Sequence, residues 1–367
     1  MNGELRDQMR RGLASPICLT WEITYGCNLS CVHCLSSSGK RRPDELTTAE
    51  SKTLIDRFRE MSIFYVNIGG GEPMIRRDFF EIIEYATTNR VGVKFSTNGS
   101  RIDKDGARRL AAMDYLDVQI SIDGHDRESN DAIRGDGAFE MAIRALSNLK
   151  EAGFDTPKIS VVATRDSVEH LDGLDAIAKE YGAQLRITRL RPSGRGVDSY
   201  SYLNPTSNQQ HRLYQWLSGR SDVLTGDSFF HLSPLGEPLD GLNMCGAGRV
   251  VCLIDPVGDV YACPFTIDDN FKAGNIRDRD FEEIWQGSPL FQSFRETEGP
   301  TSCTNCSAFA ACNGGCMATK YFTGLSLDDP DPDCAKGLGA NSKDLQSNTA
   351  LITISRRPQR LELSHQR

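Results

Sequence analysis

Apolar and polar positions change period repeatedly along the chain, and the changes mark out a succession of elements. A strand-like apolar run covers Pro16 to Thr24. Thr47 with Glu50 three residues later reads as a capping box, opening a helix that runs to about Met61. Ile63 to Ile68 is a buried-strand pattern that runs into Gly69-Gly70-Gly71-Glu72-Pro73, and a helical pattern follows from Asp78 to about Asn89. The strand Val91 to Ser96 then ends in Thr97-Asn98-Gly99. The cycle continues with a helix over Asp103–Met113, a strand over Asp117–Asp123, a helix over Ala138–Glu151, a strand over Lys158–Ala163, a helix over Val168–Tyr181 and a strand over Gln184–Arg189. Six strands alternating with helices imply parallel strands joined by right-handed crossovers. A complete eightfold barrel usually takes about 250 residues. Residues 16–190 therefore predict an α/β core built as a partial, open (β/α)6 barrel of the TIM type. The motifs between its elements sit just past the C-terminal ends of strands, where such sheets bind ligands.

Beyond residue 190 the pattern is less regular. Residues 191–243 read as a bridge: Arg191 to Gly196 is loop-like, Pro205 to Leu217 helical and Leu232 to Leu239 another loop. Residues 244–336 form a small cysteine-rich region. There Val250–Ile254 and Val260–Cys263 flank a turn rich in Pro and Gly and predict a β-hairpin. Asp280 to Phe294 predicts one amphipathic helix with Phe281, Ile284 and Trp285 on a shared face. Residues 1–15 read as an N-terminal extension and 337–367 as a flexible tail, mobile beyond Lys343.

Charge narrows the class of partner. Forty-two Lys and Arg against 50 Asp and Glu give a net charge of −8, which offers no attraction for nucleic acid or an anionic membrane. The first residues lack the apolar core of a signal peptide, and no apolar stretch approaches the roughly 20 residues of a membrane-spanning helix. The expectation is a cytoplasmic protein. Twelve cysteines then need a reason other than disulfides, and their grouping points to metal clusters.

Cys27, Cys31 and Cys34 fall in one short loop directly after the first strand. Three thiols are one short of a tetrahedral zinc site or a fully ligated [4Fe–4S] cube. Zinc with a distant fourth ligand such as His33 is one reading; a cube with one iron open to an exogenous molecule is the other. The far region supplies Cys303, Cys306, Cys312, Cys316 and Cys334, joined by Cys245, Cys252 and Cys263. Eight thiols suffice for two four-cysteine iron–sulfur clusters or for two structural zincs. Cys18 stands apart in the first strand and reads as a buried apolar residue. Arg186, Arg189, Arg191 and Arg195 concentrate positive charge at and beyond the sixth strand. They either orient a peptide carboxylate or belong to a solvated loop.

The CxxxCxxC spacing, the Gly-Gly-Glu-Pro turn one βα unit later and the distal cysteine pattern together resemble the radical S-adenosylmethionine (SAM) enzymes that carry a C-terminal SPASM domain. Within them the chain is most similar to the mycofactocin peptide maturases. The stretches that carry this are Ile17–Tyr25, Phe64–Pro73, Val93–Gly99, Leu185–Gly196 and Asn243–Asp255, and the similarity spans about residues 13 to 336. The resemblance implies a radical SAM barrel followed by the SPASM domain, with SAM and three [4Fe–4S] clusters. Cys27, Cys31 and Cys34 would hold the cluster that binds SAM. Cys245, Cys252, Cys263 and Cys316 would hold one auxiliary cluster, and Cys303, Cys306, Cys312 and Cys334 the other. Backbone around Gly70, Gly71 and Glu72 would meet the amino group of SAM. Ser96, Asn98, Ser121 and Asp123 would reach its ribose and methionine parts, Arg134 its carboxylate and Val162 its adenine; each has an ordinary cap, turn, salt-bridge or core role as the alternative.

The implied reaction is oxidative decarboxylation of the tyrosine in a precursor peptide ending in Val-Tyr, followed by radical C–C bond formation to the valine: a radical SAM oxidoreductase or lyase chemistry. Implied partners are that peptide, an electron donor such as flavodoxin or ferredoxin, and a small peptide-binding chaperone, since few residues precede the first strand. Two positions depart from the pattern. His33 stands where a large aromatic usually packs near adenine, and Pro264 follows Cys263 where sulfatase-maturing relatives place a catalytic acid. No spacing singles out a catalytic acid or base. Two further readings stay open: a SPASM maturase of another peptide or protein substrate, and a non-catalytic zinc-stabilised binding protein.

Overall fold

The alternating half of the chain folds as the periodicity implies, and the reason is visible in which face of each strand is apolar. The computed structural model describes residues 3–63, 65–225, 229–241, 243–337 and 339. After a helix α1 (Gly3–Arg11), the elements are β1 (Cys18–Thr24), α2 (Thr48–Glu60), β2 (Tyr65–Gly70), α3 (Phe79–Thr88), β3 (Gly92–Thr97), α4 (Lys104–Ala111), β4 (Leu116–Ser121), α5 (Arg127–Arg134), α6 (Ala138–Glu151), β5 (Lys158–Ala163), α7 (Leu171–Glu180) and β6 (Gln184–Arg189). Strands β1 to β6 pair in parallel, each with the next in sequence. Leu19, Trp21, Ile23, Val66, Ile68, Val93, Phe95, Val118, Ile120, Ile159, Val161, Leu185 and Ile187 are buried in one apolar core. The intervening residues Thr20, Glu22, Asn67, Lys94, Ser96, Ser121, Ser160, Arg186 and Thr188 line a cavity inside the curved sheet. Parallel strands covered on both faces usually read as continuous apolar runs. Here the period is 2, because one face is a polar lumen.

Past the barrel come α8 (Gly196–Leu203), α9 (Ser207–Leu217), β7 (Val251–Ile254), β8 (Asp259–Tyr261), β9 (Lys272–Asn275), α10 (Phe281–Gly287), α11 (Pro289–Glu296), α12 (Phe309–Cys312) and α13 (Met317–Phe322). The hairpin forms, β7 antiparallel to β8, and β9 adds a third strand. It is not a separate layer. β7 pairs in parallel with β1, so among the described residues one nine-stranded sheet runs in the order β6-β5-β4-β3-β2-β1-β7-β8-β9. The sheet crosses from residues 16–190 into 244–336 without interruption. Trp21, Phe58 and Phe281 stack edge to face at 5.9 Å, tying α10 to α2, and Arg277 pairs with Glu50 at 2.7 Å.

Several expectations are corrected. The single helix over Asp280–Phe294 is two helices, because Pro289 lacks an N–H and holds Ser288 extended at ψ 123°. Phe281, Ile284 and Trp285 do share a buried face. The stretch read as a loop from Leu232 begins inside a 3-10 helix, Phe230–Leu235. The helix expected over Val168–Tyr181 is a 3-10 turn, Ser167–Glu169, followed by α7. The capping box at Thr47 and Glu50 is present with both reciprocal hydrogen bonds. The tail's expected mobility falls, from residue 340 on, outside the described residues. None of the described helices is long and apolar enough to cross a membrane.

Candidate active site

One cavity of about 370 Å³ occupies the lumen of the barrel and opens towards its C-terminal rim. Its rim carries Cys27, Cys31, Cys34, Gly70, Gly71, Glu72 and Asn98, and its far wall carries Cys245, Cys263, Pro264, Phe265 and Cys316. The loop of Cys27–Cys34 leaves β1 and is pinned at both ends. Cys27 N donates to Gly39 O at 2.9 Å, and Asn98 Nδ2 at the end of β3 donates to Asn28 Oδ1 at 2.9 Å. The glycine turn after β2 is pinned to the same place. Gly71 N donates to Thr24 O and Glu72 N to Gly26 O, both at 2.8 Å. A Cβ on Gly71 would lie 1.9 Å from Gly26 O, so this glycine serves contact between the two motifs rather than contact with a ligand. Gly69 has open space where a Cβ would point and faces the cavity.

A third segment clamps the loop from the opposite side. Arg195 Nε donates to Cys31 O at 2.9 Å, Arg195 Nη1 to Ser38 O at 2.8 Å and Arg195 N to Cys34 O at 2.9 Å. Gly194, at φ 56°, passes so near that a Cβ would lie 2.3 Å from Leu35 O. The sequence signalled this only as a Gly and Arg after the sixth strand.

Glu72 is buried, and its carboxylate is fully engaged. It accepts from Met74 N at 3.1 Å, Thr97 Oγ1 at 2.8 Å and Asn98 N at 2.8 Å. Burial raises its pKa against those hydrogen bonds. Ser96 lines the cavity and accepts from Gln119 Nε2 at 3.0 Å; Ser121 lines it beside Val162.

Asp123 departs from the ribose role implied by the resemblance. It does not line the cavity: Oδ2 lies 2.7 Å from both His33 Nε2 and Arg134 Nη2, and Oδ1 accepts from Val162 N at 2.7 Å. Burial alone would raise this carboxyl, but Arg134 and His33 outweigh it and hold it well below the usual range. Arg134 and His33 touch the cavity, yet the charged end of Arg134 is turned to Asp123, as is the imidazole. The three side chains form a buried bridge from the cysteine loop to β4 and α5.

The arginines also separate. Arg189 is buried against Asp331 at 2.6 Å and Asp333 at 2.8 Å, and Arg195 is the clamp just described. Arg191 is buried with its guanidinium 4.0 Å over the Phe265 ring, so residues 189–195 are not a solvated loop. Arg186, on β6, lines the cavity, its Nη1 donating to Gln119 Oε1 at 3.1 Å. Cys18 corrects the sequence reading as well: it is half-buried and lines the cavity, since the first strand turns its even-numbered side chains inward.

Glu22 was missed. It lies on β1 inside the lumen, Oε1 accepts from Ser36 Oγ, and buried Oε2 has no hydrogen-bond partner among the described residues. Burial pushes its pKa up to about 7, opposed by Ser36 and assisted by Asp255. The alternation Thr20-Trp21-Glu22-Ile23 was the available signal: an acid at an inward position of an otherwise apolar strand.

The thiols fall into three neighbourhoods. Cys27, Cys31 and Cys34 are neighbours; burial pushes the Cys27 thiol up to about 11, while Arg134 counters burial at Cys31. Cys263 adjoins Cys245, Cys316 and Cys252, although Cys252 sits at a fully buried register position beside Leu19 rather than in the cavity wall. Cys303, Cys306, Cys312 and Cys334 together line a second, small space with His231 and Asp331. Among the described residues, no three His, Cys, Asp or Glu side chains converge as a site for one metal ion. His33, the fourth zinc ligand considered above, is committed to Asp123. Three neighbouring thiols opening on a cavity suit a cube whose fourth iron takes an outside ligand.

Comparison with known proteins follows the same division. Residues 21–174 match the family model of the radical SAM superfamily, and residues 245–307 match that of the SPASM iron-sulfur cluster-binding domain. The chain is 62% identical over 340 residues to the mycofactocin maturase MftC of Mycolicibacterium smegmatis, covering 92% of this chain and 87% of that one. It is 61% identical over 337 residues to MftC of Mycobacterium tuberculosis, covering 91% and 86%. The fold is similar to that of Streptococcus suis SuiB bound to its precursor peptide SuiA, with a TM-score of 0.74 at 20% identity, covering 90% of this chain and 78% of that one.

Proposed function

The chain belongs to the radical SAM superfamily, in the family of the mycofactocin maturases, and from that premise we propose that it removes the tyrosine carboxylate from a precursor peptide ending in Val-Tyr and then joins the tyrosine remnant to the valine. Family membership brings SAM and iron–sulfur clusters as cofactors; three clusters, held by the eleven cysteines in the sets given above, are the finer part of the proposal. The observation that carries it is a shared cavity: the Cys27–Cys34 trio, the Gly70-Gly71-Glu72 turn and the SPASM thiols Cys245, Cys263 and Cys316 all line the same 370 Å³ space. A carbon held there faces the radical source on one side and an electron acceptor on the other.

When bound, SAM and its cluster supply a 5′-deoxyadenosyl radical able to abstract hydrogen from unactivated carbon. The chain's own residues do the rest. Arg195, Gly194 and the Gly71–Gly26 contact fix the trio's loop, and the buried His33–Asp123–Arg134 bridge holds it on the barrel. The enclosed lumen keeps water from a reactive intermediate. A small chaperone that delivers the peptide and a flavodoxin- or ferredoxin-like donor complete the proposed system, acting in the cytoplasm.

The test is anaerobic reconstitution followed by incubation with SAM, reductant, the delivery partner and the peptide. The reading expects about twelve irons per chain, three clusters of four. It also expects a peptide that has lost carbon dioxide and two hydrogens, then a second product of unchanged mass and a new retention time. SAM cleaved with the peptide untouched would point to a maturase of another substrate; two or three zincs without iron would leave a binding protein.

A further inference from the structure

The lumen holds more positive charge than the chain neutralises. Of the cations on the cavity wall, Arg134 is matched by Asp123, Arg189 by Asp331 and Asp333, and the Arg195 guanidinium donates to two backbone carbonyls. Arg191 lies over Phe265 and near the Cys263 and Cys316 thiols. Lys94 on β3 and Arg186 on β6 differ. Lys94 is 8% exposed, lines the cavity and has no hydrogen-bond or ion-pair partner among the described residues. Among the described residues, the Arg186 guanidinium is hydrogen-bonded to the neutral Gln119 amide and to no acid. The nearest acid, Asp117, is bound to Lys158 at 2.7 Å. Of the acids that line the cavity, Glu72 is engaged at the β3 end, and Glu22 is bound to Ser36 through Oε1 only, its Oε2 making no ion pair with either cation. Burial and Arg186 together push the Lys94 ammonium down to about 8, the mark of two cations sharing one poorly solvated space. An unpaired buried charge is costly, and is retained where something else pairs it.

We infer that Lys94 and Arg186 form an anion subsite in the barrel lumen that takes the carboxylate of the substrate. Depth separates the Lys94 ammonium from SAM's own carboxylate. Lys94 lies in register with Asn67 and Thr20, and Thr20 is four residues before the end of β1 at Thr24. At about 3.3 Å per residue that is roughly 13 Å below the rim where the cysteine loop begins. The guanidinium fork of Arg186 and the point charge of Lys94 suit a carboxylate approached from two sides. The subsite rests on the function proposed above only in naming that carboxylate as a peptide C-terminus. It would draw the substrate's last residue into the lumen, leaving the reacting carbon between the carboxylate and the rim.

The experiment uses the reconstituted holoenzyme with SAM and two probes, N-acetyl-Val-Tyr and its C-terminal amide, with binding followed by calorimetry. The acid should bind at least about tenfold tighter than the amide, since the amide leaves both cations unpaired. In Lys94→Met/Arg186→Gln the two probes should bind alike, while Lys94→Arg should keep the preference. SAM affinity and SAM cleavage without substrate should stay within about twofold in every variant. Equal binding of acid and amide by the unaltered enzyme would overturn the inference without any variant; so would a preference that survives the double substitution. 3-Phenylpropionate and its amide separate this from failure of the peptide reading. Should neither peptide probe bind while 3-phenylpropionate binds in a Lys94-dependent way, the subsite stands and the peptide assignment falls. Should no carboxylate bind, the subsite falls.

Discussion

The cysteine loop at the barrel rim and the cysteine-rich C-terminal region hold their thiols by opposite means. The rim loop is gripped through its backbone: Arg195 takes the carbonyls of Cys31 and Ser38, Gly26 O takes the N–H of Glu72, and Gly39 O takes that of Cys27. Its three side chains are left facing a cavity. In the C-terminal region, buried carboxylates organise the thiols. Asp331 accepts from Cys316 N at 2.8 Å and is forked by Arg189, while Asp333, next to Cys334, takes Arg189 and the Tyr200 hydroxyl at 2.7 Å. The difference matches what each must hold. A backbone grip leaves three thiol side chains free to meet something that arrives; a charged core fastens the C-terminal thiols to the barrel.

The sharpest way to break this contrast is to remove one thiol from each region. Cys31→Ala should abolish SAM cleavage altogether. Cys312→Ala should leave SAM cleavage in place and abolish only peptide modification, with 5′-deoxyadenosine and peptide mass read from the same reaction. Loss of SAM cleavage in both would mean that the two regions are not independent.

The next effect is on stability. Arg189→Met strands Asp331 and Asp333 in the core and should cost about 3–5 kcal/mol in denaturant unfolding. It should release iron from the C-terminal region before the rim loop loses its share. Simultaneous loss would show that the carboxylate core supports both.

Glu22 gives a smaller, pH-dependent effect on the rim side. Its carboxyl is raised from 4.5 to about 7 in the fold, so the folded state binds its proton more tightly than the unfolded chain. The resulting penalty is absent below about pH 4 and complete above about pH 7. At about 1.4 kcal/mol per tenfold change in acidity, Glu22→Gln should gain about 3 kcal/mol at pH 8 and nothing at pH 4. Equal unfolding midpoints for the variant and the unaltered protein at pH 8 would count against it. The smallest effect is a control on the scaffold: Thr47→Ala removes the α2 cap and should cost about 1 kcal/mol, with SAM cleavage and iron content unchanged.

Much of this was legible beforehand. The six strands, the hairpin, the Thr47 cap and the grouping of thiols follow from local period and spacing, which the backbone obeys wherever tertiary contacts do not oppose it. The helix break at Ser288 was legible too, from Pro289, but the amphipathic run masked it. The inward polar positions were also in plain view as alternation in β1 to β6, although Glu22 and Lys94 were not singled out from it. What could not be read was occupancy. Asp123 and Arg134 looked available to a ligand until the fold placed them on one another, and Arg189 looked like one of four similar arginines.

The sequence by itself determined which residues could form strands, where the chain must turn and how many thiols stand within reach of each other along it. Those properties depend on neighbours a few residues apart. Only the tertiary structure decided which charges are satisfied and which are left over. Arg189 meets Asp331 across more than a hundred residues, and Lys94, among the described residues, forms no ion pair, because its strand neighbour Asp117 is taken by Lys158. A buried charge is settled by whatever the closed barrel brings to it, and that partner has no signature in the local sequence.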